Sequence, residues 1–168
     1  MTNGQTGGTP GHIQNGSFLK SMRFKLINYY PPFLGMGVRV LHRESDDYTI
    51  RVRMKLTRLN FNAVGTHFGG SLYAMCDPFH MLILMHNLGR GYTVWDTSAT
   101  IRFVRPGRGT VHATFHIPPA TIDEIRSRAD QGEKAEPEFH VDVVDDSGQI
   151  VAQVDKRLYV RKKKEAPA

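Results

Sequence analysis

The residues best placed to do chemistry lie between Asn62 and Asp77, in NAVGTHFGGSLYAMCD. The pair Gly69–Gly70 opens an almost wholly apolar run. That run carries one carboxylate, Asp77, with Pro78 straight after it. A helix that starts at the glycines offers unpaired backbone N–H groups and a partial positive charge. Gly69 and Gly70 let that backbone approach a substrate with no side chain in the way. The N–H groups near Gly70 are therefore suited to stabilising an oxyanion, a contribution of about 3–4 kcal/mol in acyl-transfer sites. Such a reaction also needs a base to activate water, or a carboxylate to attack directly. Asp77 follows Gly70 by two helical turns and is expected to share its face. An apolar setting there would strengthen it as a base. Asn62 precedes the helix and is a candidate to orient the water or the carbonyl. His67 is a candidate donor to the same carbonyl. Phe68, Gly69, Ser71 and Tyr73 are expected to line the substrate around the helix start.

Each assignment has a structural alternative. Asp followed by Pro is a favoured helix start, so a role as N-cap is the structural alternative for Asp77. Pro78 cannot donate to the Ala74 carbonyl, so the helix must kink or restart there. Asn62 suits a turn as well as a catalytic role. His67 can simply hold the loop, and Tyr73 can be core or pocket wall. The glycines can mark close packing of the helix against a strand. Arg102, Arg105 and Arg108 cluster at a strand end and the turn PGRG. They suit a phosphate-bearing ligand or a solvated turn.

Two kinds of periodicity supply the elements that must hold these residues. Alternation in GVRVLHRE, YTIRVRMKL, VWDTSATIRFV, TVHATFHI, EFHVDVV and IVAQVDKRLYV predicts about six antiparallel strands. In YTIRVRMKL, Tyr48, Ile50, Val52, Met54 and Leu56 should face one way, with Thr49, Arg51, Arg53 and Lys55 opposite. In the third run, Thr97, Ala99, Ile101 and Phe103 should share a side. ESDDY and DDSGQ read as hairpin turns. Residues 69–88 break the alternation and are apolar nearly all round, as in a buried helix ended by Gly89 and Gly91. SFLKSMRFKLINYY predicts an amphipathic helix capped by Ser17 and stopped by Pro31 and Pro32. PPATIDEIRSRADQG predicts a short helix closed by Gly132. The result is an α+β domain over 17–161. A Gly/Thr/Asn-rich segment, 1–16, and a basic tail, 162–168, are expected to be disordered.

The 168 residues fit one domain. The net charge is +6, and the last eight residues, RKKKEAPA, supply +3 of it (four bases, one acid). The basic balance is therefore partly a solvated tail, and no stripe of bases and stacking aromatics points to nucleic acid. Cys76 is the one cysteine, which excludes an intramolecular disulfide and a cysteine zinc cluster. The histidines show no ligand spacing, so no metal is assigned. No apolar run is long enough to span a bilayer and no signal peptide opens the chain, so the expected location is the cytoplasm.

These elements and the motif together resemble the hotdog-fold thioesterase superfamily, in which a curved antiparallel sheet wraps one long central helix. The phenylacetyl-CoA thioesterase-like branch carries an Asn, a Gly three residues on, then His-Gly-Gly, then an acid seven residues past the second Gly. Asn62, Gly65, Phe68, Gly69, Gly70 and Asp77 occupy those positions, with Phe68 in place of the histidine. The stretch from NAVGTHFGGSLYAMCDPF through VWDTSATIRFVRPG is most similar to a hotdog family of unknown function. The resemblance implies hydrolysis of an acyl-CoA or acyl-carrier thioester, with coenzyme A present only as part of the substrate. It implies a homodimer or dimer of dimers in which Asp77 acts across the interface, on substrate held at the partner's helix start. A non-catalytic acyl-CoA binding protein on the same fold is the alternative.

Overall fold

Alternation of apolar and charged side chains builds the sheet. A computed structural model describes residues 26–41 and 47–164 of the chain. The expectations for segment 1–16, for most of the helix from Ser17, for residues 44–46 of the ESDDY turn and for 165–168 lie outside the described residues. Among the described residues six strands form: β1 (Val38–Val40), β2 (Thr49–Lys55), β3 (Tyr92–Phe103), β4 (Thr110–His116), β5 (Glu138–Asp145) and β6 (Ile150–Lys162). They pair antiparallel in the order β1-β2-β4-β5-β6-β3. In β2, Ile50, Val52 and Met54 are buried while Arg51, Arg53 and Lys55 are exposed, as the alternation predicts. β6 runs on to Lys162, which pairs with Tyr92.

Among the described residues, four complete helices accompany the sheet: α1 (Pro31–Met36), α2 (Gly69–Ala74), α3 (Phe79–Leu88) and α4 (Pro119–Asp130). The helical turn at residues 26–27 ends before Pro31, and Pro31 and Pro32 then begin a new helix, α1. A proline ring presets the helical φ, and its missing N–H costs nothing in the first turn. α2 and α3 together form the central helical segment, and the sheet curls around it. Met75, Cys76, Phe79, Ile83 and Leu84 are buried in one core with Val52, Met54, Phe115, Val143, Val154 and Leu158. Phe79 meets Phe115 with ring centroids 5.0 Å apart.

The central segment restarts at Pro78, as a residue without an N–H requires. Before the break the bonding tightens to three-residue spacing: Cys76 N–H donates to Tyr73 O at 2.8 Å and Asp77 N–H to Ala74 O at 3.3 Å. After it, Leu82 N–H donates to Pro78 O at 2.8 Å. Gly89, at φ 86°, ends α3, and Gly132, at φ 85°, follows α4.

β3 departs from simple alternation. Its register against β6 shifts between Asp96 and Ser98. Before this bulge Val94 and Asp96 stand opposite Val160 and Leu158, which are core residues. After it Ala99 and Ile101 stand opposite Lys156 and Val154. An extra residue in one strand re-aims the side chains on either side of it. Strict alternation puts Asp96 on the outer face with Ser98 and Thr100; the bulge turns it inward. β3 is also an edge strand. No other strand among the described residues pairs with its outer side.

Candidate active site

The loop that delivers the glycine pair is held by its own amides. Asn60, 1% exposed, donates from Nδ2 to Met36 O (2.7 Å) and Lys55 O (2.8 Å), and accepts from Thr57 N–H at 2.7 Å. Asn62 closes the next turn. Its Oδ1 accepts from the N–H groups of Val64 and Thr66, each at 3.1 Å, and its Nδ2 donates to Thr66 Oγ1 at 2.9 Å. The Asn62 amide is thus engaged inside the loop. His67 is 3% exposed, with Nε2 3.2 Å from Gly109 O and its N–H bonded to Gly107 O at 3.0 Å. It sits against the PGRG turn, where a Cβ at Gly107 would meet its ring at 3.2 Å. Burial lowers its pKa, against a smaller opposing effect of the Gly109 carbonyl.

The helix start itself has the expected free donors. Ser71 and Leu72 N–H groups both bond to Phe68 O, at 2.9 and 3.1 Å. Gly69 and Gly70 N–H groups have no acceptor among the described residues. Two exposed aromatic rings stand over them. A Cβ on Gly70 would overlap the Phe68 ring, and one on Gly69 would lie 2.8 Å from Phe103 Cζ. The glycines therefore answer to close packing, but against two phenylalanine rings and not against strand backbone. Ser71 is buried and Tyr73 half-buried.

Asp77 is where the structure adds most. α3 has no side-chain cap bond and its N-cap position is Pro78, so Asp77 does not cap that helix. Its side chain is 54% exposed and lies 3.3 Å from the ammonium of Lys156, whose own side chain is 0% exposed. The same ammonium also donates to the Asp77 backbone carbonyl and to Asp96 Oδ2, the latter at 2.5 Å. Three acceptors satisfy its three N–H donors. The wholly apolar setting expected for Asp77 is therefore replaced by an ion pair at the core boundary. The Tyr73 ring centroid is 5.9 Å from Lys156 Nζ. Burial raises the Tyr73 pKa, with Lys156 opposing and both aspartates adding to the rise. Below the cluster, Cys76 is buried and its thiol is pushed up to about 12 by desolvation, with Lys156 opposing. His80, 1% exposed, stacks on Phe139 at 4.9 Å, and burial drives its pKa down to about 4.

The structure brings Phe68, Gly69, Gly70, Phe103 and Tyr73 together around α2. Arg102 and Arg105, the two basic candidates, are engaged by other side chains. Arg102, on the opposite face of β3 from Ile101 and Phe103, donates to Gln153 Oε1 at 2.9 Å. Arg105 approaches Asp145 at 3.4 Å. Lys156 and Asp96 escaped the sequence reading. Lys156 left a signal, since it shares the inward register of Val154, Leu158 and Val160. Asp96 left none, because its direction depends on the bulge.

Residues 20–160 match the family described as Domain of unknown function (DUF4442). The chain belongs to this family. A comparison with curated proteins finds no match. Among solved structures, a Pseudomonas aeruginosa protein of unknown function, named a probable thioesterase, superposes with TM-score 0.76 at 20% identity. The alignment covers 91% of this chain and 100% of that one. A thioesterase from Haemophilus influenzae gives TM-score 0.63 at 13% identity, covering 88% and 94%. The PaaI protein from the phenylacetic acid degradation operon of E. coli gives 0.56 at 14%, also covering 88% and 94%. This DUF4442 chain therefore has the hotdog fold. No helix among its described residues is long and apolar enough to cross a membrane.

Proposed function

We propose that this DUF4442 protein is an acyl-CoA thioesterase. The observation that carries the reading is a half-exposed carboxylate, Asp77, anchored by a buried ammonium on the same helical segment as two amides without acceptors. The Gly69 and Gly70 N–H groups would stabilise the oxyanion of the thioester carbonyl. Asp77 would remove a proton from the attacking water, or attack the carbonyl itself. Phe68 and Phe103 would supply an apolar wall for the acyl group. Coenzyme A enters only as part of the substrate.

The working unit in this reading is at least a dimer. Seven residues of helix span about 10 Å along the axis. Asp77 and the Gly70 amides of one chain are therefore too far apart to serve one carbonyl. A second copy, added along the unpaired edge of β3, would bring a partner's carboxylate to those amides. Light scattering should give at least twice the 19.0 kDa chain mass.

The alternative is an acyl-CoA binding protein without turnover. Phe68 at the histidine position and the engaged Asn62 amide favour it. One experiment separates the two: release of free thiol from a panel of acyl-CoA esters by wild type beside Asp77→Asn. Release by wild type that falls by about 100-fold or more in the variant supports the enzyme, the range for loss of a general base. Saturable binding of the esters with no thiol released supports the carrier. An unchanged rate in Asp77→Asn removes Asp77 from the mechanism.

A further inference from the structure

We propose that Lys156 is the positioning residue of this site, fixing the Asp77 carboxylate and the Asp77–Pro78 break to the sheet. For catalysis the inference rests on the thioesterase reading; for structure it does not. Three departures from ideal geometry converge on this one ammonium. The first is the lysine itself, fully buried in the inward register of β6 between Val154 and Leu158. A buried ammonium is costly unless paired, and an apolar residue there would fill the core more cheaply. The second is the β3 bulge, which turns Asp96 inward to within 2.5 Å of Lys156 Nζ. The third is the restart of the central helix. In a continuous helix the Asp77 carbonyl accepts from Met81 N–H; here no backbone donor among the described residues reaches it, and Lys156 donates instead.

The consequence is directional. Lys156 grips Asp77 at both its backbone carbonyl and its carboxylate, so the side chain cannot swing freely although half of it is in solvent. Asp96, at 2.5 Å, also balances the buried charge. Lys156 has no exposed side-chain surface, so it acts through Asp77 and does not touch substrate.

The test compares wild type with Lys156→Met and with the double variant Lys156→Met/Asp96→Asn. Lys156→Met alone leaves the Asp96 carboxylate unpaired and can fail to fold; the double variant removes that charge too. In the double variant, hydrogen exchange at the Asp77 and Phe79 amides should quicken by about tenfold or more, while amides of β4 stay protected. Thiol release should show kcat lowered by about 100-fold, the effect of misplacing a reacting group by an ångström, with KM within about twofold. Lys156→Arg, which keeps the charge, should recover part of the kcat. Unchanged exchange at the break overturns the positioning role whatever the activity. Quickened exchange with unchanged kcat confines Lys156 to structure. If wild type releases no thiol from any ester, the thioesterase reading fails and the exchange measurement alone decides the role of Lys156.

Discussion

Lys156 and Asp77 meet at 3.3 Å, one side chain wholly buried and the other 54% exposed. The pair spans the boundary between core and solvent. An exposed ion pair contributes little because solvent screens it and both side chains lose entropy. Here one partner is already immobilised by burial and by Asp96. The pair therefore orders a solvent-facing carboxylate at a small additional entropy cost. That is the arrangement a general base or nucleophile needs.

Substitution of Gly70 by alanine should change activity more than stability. The added methyl overlaps the Phe68 ring, but Phe68 is 55% exposed and can swing outward. Helix propensity favours alanine over glycine by about 1 kcal/mol, which offsets the displacement. Thermal unfolding should stay close to wild type. Thiol release should fall as the ring and the amide it covers are disturbed.

Cys76 should be invisible to thiol reagents in the folded protein. It is 0% exposed and its pKa is pushed up to about 12, so almost no thiolate forms at neutral pH. A colorimetric disulfide reagent should titrate no thiol in native protein and one in denaturant, given the single cysteine. The free-thiol assay for coenzyme A release is then unaffected by the protein's own cysteine.

Acid should destabilise the fold through His80. Its folded pKa is about 4 against 6.5 for the free side chain. Between those values the unfolded chain binds a proton that the folded chain does not, so stability falls as pH drops from 6.5 towards 4. The loss is roughly 3 kcal/mol at 1.36 kcal/mol per unit. His67, lowered in the same direction by burial, adds to it. His140 has the opposite sign: Asp155 at 2.6 Å and Asp142 at 2.9 Å raise its pKa, so its contribution is present at low pH and fades as pH rises through the raised value. Denaturant melts of wild type and His80→Leu between pH 4 and 7 should show the acid-side slope reduced in the variant.

Phe115→Ala should be the most damaging of the core truncations around α3. Phe115 is 0% exposed and touches both Phe79 (5.0 Å) and His80 (5.1 Å). Loss of its ring leaves a cavity at the contact between helix and sheet and should cost about 3–5 kcal/mol. Urea midpoints give the comparison, with Phe103→Ala, 57% exposed, expected to cost far less.

The sequence alone determined the strands, because burial on one face forces a period of two, which runs unbroken through β4, from Ile50 in β2 and from Ala152 to Val160 in β6. It determined the central helical segment and its restart, because an apolar run beginning with two glycines and interrupted by a proline has few other solutions. It also marked Gly69, Gly70 and Asp77. The tertiary structure decided what Asp77 is tied to. The Asp-Pro step reads locally as a helix cap, and only the arrival of β6 from 79 residues away gives the carboxylate a cationic partner instead. Asp96 depended on a bulge, which inserts one residue without a local sequence signal and reverses the face of everything before it. Asn62 and His67 have the right residue types for chemistry, yet the folded loop engages the Asn62 amide and places His67 against the Gly107–Gly109 turn. Bonds within its own turn settle the choice for Asn62, and contact with a turn distant in sequence settles it for His67, because each group bonds to whatever the fold brings within about 3 Å.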